Sequence, residues 1–436
     1  MRTTSPVPTS PVDQVESEAE AIDDLIVQRP EGLYCPPGGF YIDPWRPVDR
    51  AVLTHAHADH ARRGSAHYLA AAVSQDVLRA RLGDITLQGL RYGEVVDHFG
   101  VRISLHPAGH VLGSAQVRLE HAGRVWVASG DYYVAGAADD PREHNRTCDA
   151  FEPVRCDCFI TESTFGLPIY RWRPQREVFD DIDQWWRANA EAGRASVLMA
   201  YSFGKAQRIL AGVDSRIGPI VVHGAVEPLN RAYRTAGVSL PDTNLVSEVP
   251  DKASLKRALV IAPPSVQGSA WLKRFGEHSD AFASGWMQLR GARRRRSVDR
   301  GFVLSDHADW PGLQRAIAAT GAQRVIVTHG YEAVMVRWLA EQGLQAGAFR
   351  TEYGDEEPEA VPAADKDGPT EASIDARTGT RTDAPTEART DAQTDARTDV
   401  QIDMQIDVQI DVRTDDSADR ATTAPIVAST DASTRP

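Results

Sequence analysis

The stretch Thr54-His55-Ala56-His57-Ala58-Asp59-His60 places three histidines and a carboxylate within six residues. It follows Arg50-Ala51-Val52-Leu53, an apolar run that reads as a short buried strand. Alternate residues of an extended chain share a face, so His55 and His57 can grip one ion together. Asp59 and His60 lie beyond the bend and reach toward a second ion. Neutral imidazole and carboxylate suit zinc and similar divalent ions. The competing reading is a polar, His-rich surface loop. The regular spacing beside an apolar strand argues against it.

The pattern resembles the signature of the metallo-β-lactamase fold superfamily. That superfamily includes lactam, thioester and phosphodiester hydrolases, so the remaining residues must distinguish the substrate. Further candidates follow in order. His110 sits in Pro107-Ala108-Gly109-His110-Val111-Leu112-Gly113, among small residues that let backbone approach a site closely. It is the expected third imidazole on the first ion. Asp131 closes the apolar run Val125-Trp126-Val127-Ala128 and is placed to bridge two ions. Glu162 ends Phe159-Ile160-Thr161 in the same way, and His307 and His329 end two later runs. Asp43, just before Pro44, is expected to orient a histidine ring or loop amides. The alternative for it is a turn aspartate.

The set then reads as His55, His57 and His110 on one ion, Asp59, His60 and His329 on the other, and Asp131 between them. Two divalent ions make a nucleophile available at neutral pH and polarise a phosphoryl oxygen. Glu162 and His307 exceed what the ions need. A histidine oriented by Glu162 can protonate a departing oxygen. Asp59, Glu162 and His307 are therefore the expected catalytic residues. The expected cofactor is two Zn2+, with Mn2+ as the alternative ion.

The chain has 436 residues, room for two domains, and a formal charge of −13 from 48 basic and 61 acidic side chains. Residues 351–436 carry 21 acids and 8 bases, while residues 1–350 carry 40 of each. The acidity belongs to the C-terminal stretch and does not argue against a nucleic-acid partner for the rest. Four cysteines are too few for a disulfide framework. No apolar run approaches a membrane span and no secretion signal is visible, so a cytoplasmic location is expected.

Residues 1–24 read as a loose arm. Residues 25–172 and 298–353 carry the ligand series. Between them, residues 173–297 alternate strands (Ser196–Ala200, Pro219–Gly224, Ala258–Ala262) with helices, as expected for an inserted α/β unit with a parallel sheet. Residues 354–436 include four-residue repeats such as Arg-Thr-Asp-Ala and Gln-Ile-Asp-Val, too poor in apolar surface to fold, and are expected to be disordered.

The order Asp43, His-x-His-x-Asp-His, His110, Asp131, Glu162, insertion, His307, His329 resembles the β-CASP nuclease branch of the superfamily. The resemblance covers about Gly32 to Tyr353. It implies an αββα sandwich carrying an inserted β-CASP domain that clamps nucleic acid. Glu162 in Thr161-Glu162-Ser163-Thr164, His307 in Ser305-Asp306-His307-Ala308-Asp309 and His329 in Thr328-His329-Gly330 match its motifs A, B and C. Glu31-Gly32-Leu33-Tyr34-Cys35-Pro36, Phe40-Tyr41-Ile42-Asp43-Pro44-Trp45 and Phe151-Glu152-Pro153-Val154-Arg155-Cys156-Asp157 resemble the bacterial ligase-associated DNA exonuclease family. That resemblance implies DNA repair beside an ATP-dependent ligase and a helicase. An RNA-processing nuclease of the same fold is the alternative, and a small-molecule metallo-hydrolase a more distant one.

Arg293-Arg294-Arg295-Arg296 suits phosphates, as does Lys205 at the start of a helix, where backbone amides can also hold an anion. The alternatives are a solvated basic loop and a surface lysine.

Overall fold

The structure is a computed structural model that describes residues 24–135, 143–249 and 251–353. The expected repeat tail, and the arm up to residue 23, lie outside the described residues. Asp24 belongs to the fold: its two carboxylate oxygens accept from Arg324 at 2.6 and 2.9 Å.

The first sheet runs in chain order: β1 Val27–Arg29, β2 Gly32–Cys35, β3 Phe40–Ile42, β4 Arg50–Val52, β5 His67–Ala71 and β6 Leu87–Leu90. Its first three strands are antiparallel and the rest parallel. A meander follows: β7 Val95–His98, β8 Val101–Pro107, β9 Ala115–His121 and β10 Arg124–Ala128, with β11 Cys158–Ser163 parallel to β10.

Leu33, Phe40, Ile42 and Val52 of the first sheet share one buried core with Ile103, Leu105, Val117, Leu119 and Ile160 of the second. This is the centre of the sandwich. Beyond the first sheet, Ala51, Tyr68 and Ala70 pack on Val77, Leu78 and Leu82 of the helix Gln75–Leu82. Beyond the second, Val127, Phe159 and Val325 pack on Leu313 and Ile317 of the helix Trp310–Thr320 and on Met335 and Leu339 of the helix Glu332–Glu341. Helix, sheet, sheet, helix is the expected αββα order.

The insertion has its own sheet: β12 Ala195–Met199, β13 Ile220–Val222, β14 Asn244–Leu245, β15 Leu259–Ala262, β16 His278–Ala283 and β17 Arg300–Phe302. All its pairings are parallel. Every residue of β12 and β15 is buried, as a strand covered on both faces requires. Leu198, Ile220 and Ile261 pack under the helices Gln175–Glu191 and Lys205–Gly212, while Val197, Val221 and Phe282 face Phe275 and Met287. The expected boundary of the insertion was at 297/298. β17 pairs with β16, so the chain leaves the insertion after Phe302.

The chain returns to the second sheet as β18 Arg324–Gly330 and β19 Gln345–Ala348, parallel to β11 and to one another. In the second sheet β8, β10, β11 and β18 all run the same way. The residues that follow or close those strands therefore gather at one end of the sheet, and the candidate site lies there.

Candidate metal centre

The loop after β4 carries His55, His57, Asp59 and His60. The loop after β8 carries His110, the loop after β10 carries Asp131, and His329 lies near the end of β18. Close approach of these loops has a local requirement. Gly130 has φ +55°, and a Cβ there would lie 2.5 Å from Thr54 Cβ.

His57 Nδ1 lies 3.1 Å from His55 Nε2 and 3.0 Å from His110 Nε2. Asp131 Oδ2 lies 3.4 Å from His55 Nε2, 3.8 Å from His110 Nε2 and 3.5 Å from His60 Nε2. His55, His57, His110 and Asp131 thus bring one ligand atom each to a common point. On the other side, Asp131 Oδ1 is 3.3 Å from His329 Nε2, and Asp59 Oδ2 is 3.5 Å from His60 Nε2. The first group is the tighter of the two.

The outer nitrogen of each of these five rings has an acceptor or hydroxyl beside it, which sets the tautomer. His110 Nδ1 donates to the carbonyl of Asp306 at 2.8 Å, and His57 Nε2 to the carbonyl of Phe203 at 3.2 Å. His60 Nδ1 donates to Asp43 Oδ2 at 2.8 Å. The Thr54 hydroxyl donates to the same Asp43 carboxylate, so it accepts from His55 Nδ1 at 3.0 Å. The Thr328 hydroxyl donates to the Thr161 carbonyl at 3.2 Å and accepts from His329 Nδ1 at 3.0 Å. In the neutral rings of His55, His57 and His110 the proton sits on the outer nitrogen, so their inner nitrogens present lone pairs to the centre. Lone pairs 3 Å apart repel unless a cation lies between them. Buried His60 Nε2 and Asp131 Oδ1 make no hydrogen bond within the chain. The donor set therefore fits divalent metal.

The electrostatics agree. Burial holds His55 and His57 well below the ordinary imidazole pKa, and His110 below it, so these rings are neutral. Burial acts the same way on His60, but Asp131, Asp59 and Asp43 outweigh it and push it up to about 10. Burial favours the acid form of Asp131, yet His60, His307 and His55 hold its pKa well below the carboxylate range. The carboxylates call for positive charge at the centre, and a bound cation meets the same demand.

Asp43 stands at the outer nitrogen of His60, opposite the nitrogen that faces Asp131. It orients the ring and is not placed among the inward donors. Its other oxygen accepts the Thr54 amide at 2.7 Å. Glu162 and His307 meet beside the centre: His307 Nδ1 lies 2.8 Å from Glu162 Oε2, and Glu162 Oε1 accepts the Tyr132 amide at 2.7 Å. The His307 and His110 rings are 4.6 Å apart. Trp172 Nε1 donates to the His307 carbonyl at 2.9 Å, while Asp309 accepts the Trp172 amide and caps the next helix through Gly312.

Of the expected nucleic-acid contacts, Lys205 does open a helix, Lys205–Gly212. It is 1% exposed, however, and its ammonium faces Asp306 Oδ2 at 3.6 Å, so it looks inward and not onto an open groove. The run Arg293–Arg296 lies on the helix Arg290–Arg296. Arg294 is exposed, and Arg296 lies over the Phe282 ring at 4.4 Å. The side chains of Arg293 and Arg295 lie outside the described residues.

Sequence reasoning missed Tyr353, which stacks on His60 at 4.3 Å and donates to the Asp43 carbonyl at 3.2 Å. It also missed Thr54 and Thr328. The repeated Thr-His pair at two strand ends was the available signal for those.

A sandwich whose strand ends gather histidines and carboxylates, interrupted by a parallel α/β unit, defines the class. No protein-family model matches the chain. It is similar to a probable DNA ligase of Opitutus terrae, 32% identical over 325 residues, which are 74% of this chain and 31% of that protein. It is also similar to endoribonuclease YSH1 of Saccharomyces cerevisiae, 30% identical over 130 residues, 29% of this chain and 15% of the relative. Cleavage and polyadenylation specificity factor 73 of Drosophila melanogaster is 27% identical over 206 residues, 45% of this chain and 28% of the relative. The chain thus spans less than a third of the length of each of these relatives. Its fold is the metallo-β-lactamase αββα sandwich with an inserted α/β unit of the β-CASP kind. Among the described residues no helix is long and apolar enough to cross a membrane.

Proposed function

We propose that the chain is a two-metal phosphodiesterase that digests DNA from its ends, acting in repair beside an ATP-dependent ligase. The observation that carries this reading is the Glu162–His307 pair, at 2.8 Å, set against His55, His57, His110 and Asp131, with His60 and His329 on the far side of Asp131. A phosphodiester needs a proton for its departing sugar oxygen, and a small-molecule hydrolase of this fold has no evident use for the pair. The similarity to a probable DNA ligase supports DNA over other substrates.

The ions expected are two Zn2+, with Mn2+ as the alternative. His55, His57 and His110 would hold one, His60, Asp59 and His329 the other, with Asp131 between. Bound there, they supply a nucleophile at neutral pH and draw charge from the phosphoryl oxygens. The chain's own groups do the rest. His307, anchored through Nδ1, gives the proton at Nε2 to the leaving oxygen. Glu162 stabilises the ring while it is charged, and the Tyr132 amide keeps Glu162 in place. Arg294 is exposed where it can meet the phosphate backbone.

A second reading, an RNA nuclease, draws on the similarity to an endoribonuclease. Matched end-labelled single-stranded DNA and RNA, given to metal-quantified protein, separate the two. Metal-dependent digestion favouring DNA supports the repair exonuclease, and the label position gives its polarity. Cleavage of RNA alone moves the chain to the second reading. Cleavage of neither, with two metals bound, removes both.

A further inference from the structure

Two of the five imidazoles owe their orientation to a single short piece of the insertion. The Phe203 carbonyl accepts from His57 Nε2 at 3.2 Å, and the Phe203 ring stands edge-on to the His57 ring at 5.0 Å. Two and five residues later, Lys205 and Arg208 reach Asp306. Arg208 lies 3.1 Å from Asp306 Oδ1 and donates to the Ser305 carbonyl at 2.5 Å, while Lys205 lies 3.6 Å from Asp306 Oδ2. The carbonyl of Asp306 is the group that holds His110. All four side chains involved, Phe203, Lys205, Arg208 and Asp306, are at most 3% exposed. Gly204 allows the approach: it has φ +85°, and a Cβ there would lie 2.3 Å from Val111 Cγ1, beside His110.

The other three imidazoles are held without the insertion. Thr54 serves His55, Asp43 serves His60 and Thr328 serves His329. The support of the site is therefore divided. We propose that Phe203–Arg208 is a positioning latch of the insertion, acting through its Phe203 carbonyl and through Lys205 and Arg208 on Asp306. It sets the affinity of the ion held by His55, His57 and His110, and leaves the ion held by His60 and His329 to the sandwich alone. Lys205 and Arg208 are positioning residues: they touch neither the ions nor the substrate. The inference rests on the two-metal reading above. Its consequence is that seating of the insertion and retention of one specific ion are linked.

Chelator competition on the full chain tests it, with metal content counted for wild type, Arg208→Lys, Asp43→Asn and the double variant. Arg208→Lys keeps the charge but loses the planar fork that reaches both Asp306 and Gln175 Oε1. The expected result is a fall of about 10–100-fold in the affinity of one ion of two for each single variant. The double variant loses both ions at a chelator concentration where wild type keeps both. Lys205→Met repeats the Arg208→Lys pattern in weaker form and replaces it if that variant does not fold. Retention of both ions at wild-type affinity in the latch variants overturns the proposal. So does a double variant that still holds one ion tightly, because both substitutions then act on the same ion. A wild-type chain that binds fewer than two ions overturns the two-metal reading and the latch with it, so the two failures are told apart by the wild-type count.

Discussion

The second sheet of the sandwich and the sheet of the insertion both end several parallel strands at one edge, but they equip those ends differently. In the sandwich, β10, β11 and β18 lead into or close on Asp131, Glu162 and His329. In the insertion, β12, β13, β15 and β16 close on Met199, Val222, Ala262 and Ala283, all buried and apolar, and His223, directly after β13, stands edge-on to Trp271 away from the five imidazoles' partners. What the insertion sends toward the centre is a carbonyl, that of Phe203, and two buried cations that meet Asp306. Parallel strand ends make a site only when titratable side chains occupy them. On the proposed reading the sandwich carries the chemistry, and the insertion carries support and substrate contact.

Four substitutions sharpen or break this division. The largest effect is expected from His57→Ala, which removes an inward donor from the tighter group. Metal and activity should both be lost, and nuclease activity persisting in metal-stripped His57→Ala protein would break the mechanism. Next is His307→Ala. It should keep its metal by elemental analysis yet slow cleavage about 10²–10⁴-fold. A substrate with a sulfur leaving group, which needs no proton, should recover most of that loss. No recovery would show that His307 does something other than proton transfer.

Asp43→Asn comes third. It leaves the His60 ring in place but weakens its anchor, and should cost about 10–100-fold in affinity for one ion. Unchanged metal retention would reduce Asp43 to a turn aspartate. The smallest effect belongs to Arg294→Ala in the insertion. It should raise KM with kcat unchanged and lower the slope of log affinity against log salt by about 0.7–0.9 if it meets one phosphate. A change in metal content in Arg294→Ala would break the division between the two regions.

Much of this was legible in the sequence. The His-x-His-x-Asp-His stretch, His110, Asp131, Glu162, His307 and His329 announce themselves because metal and proton chemistry restrict residue type and because each follows an apolar strand. The parallel sheet of the insertion was legible too, since its apolar strands alternate with short helices. The pairing of β17 was not. Arg300-Gly301-Phe302 is short and leads straight to His307, so nothing local says which sheet it joins. Lys205 has the look of a surface residue, and only the folded packing that brings Asp306 and the Tyr201 ring to it shows it buried.

The sequence by itself determined which atoms can ligate or carry a proton, because those capacities reside in side chains and are written residue by residue. The tertiary structure alone decided what holds them. The partners of His57 and His110 are backbone carbonyls, which every residue possesses, so Phe203 and Asp306 could be found only by where the folded chain puts them. The stacking of Tyr353 on His60 is of the same kind: it joins residues nearly three hundred positions apart, and only packing brings them together.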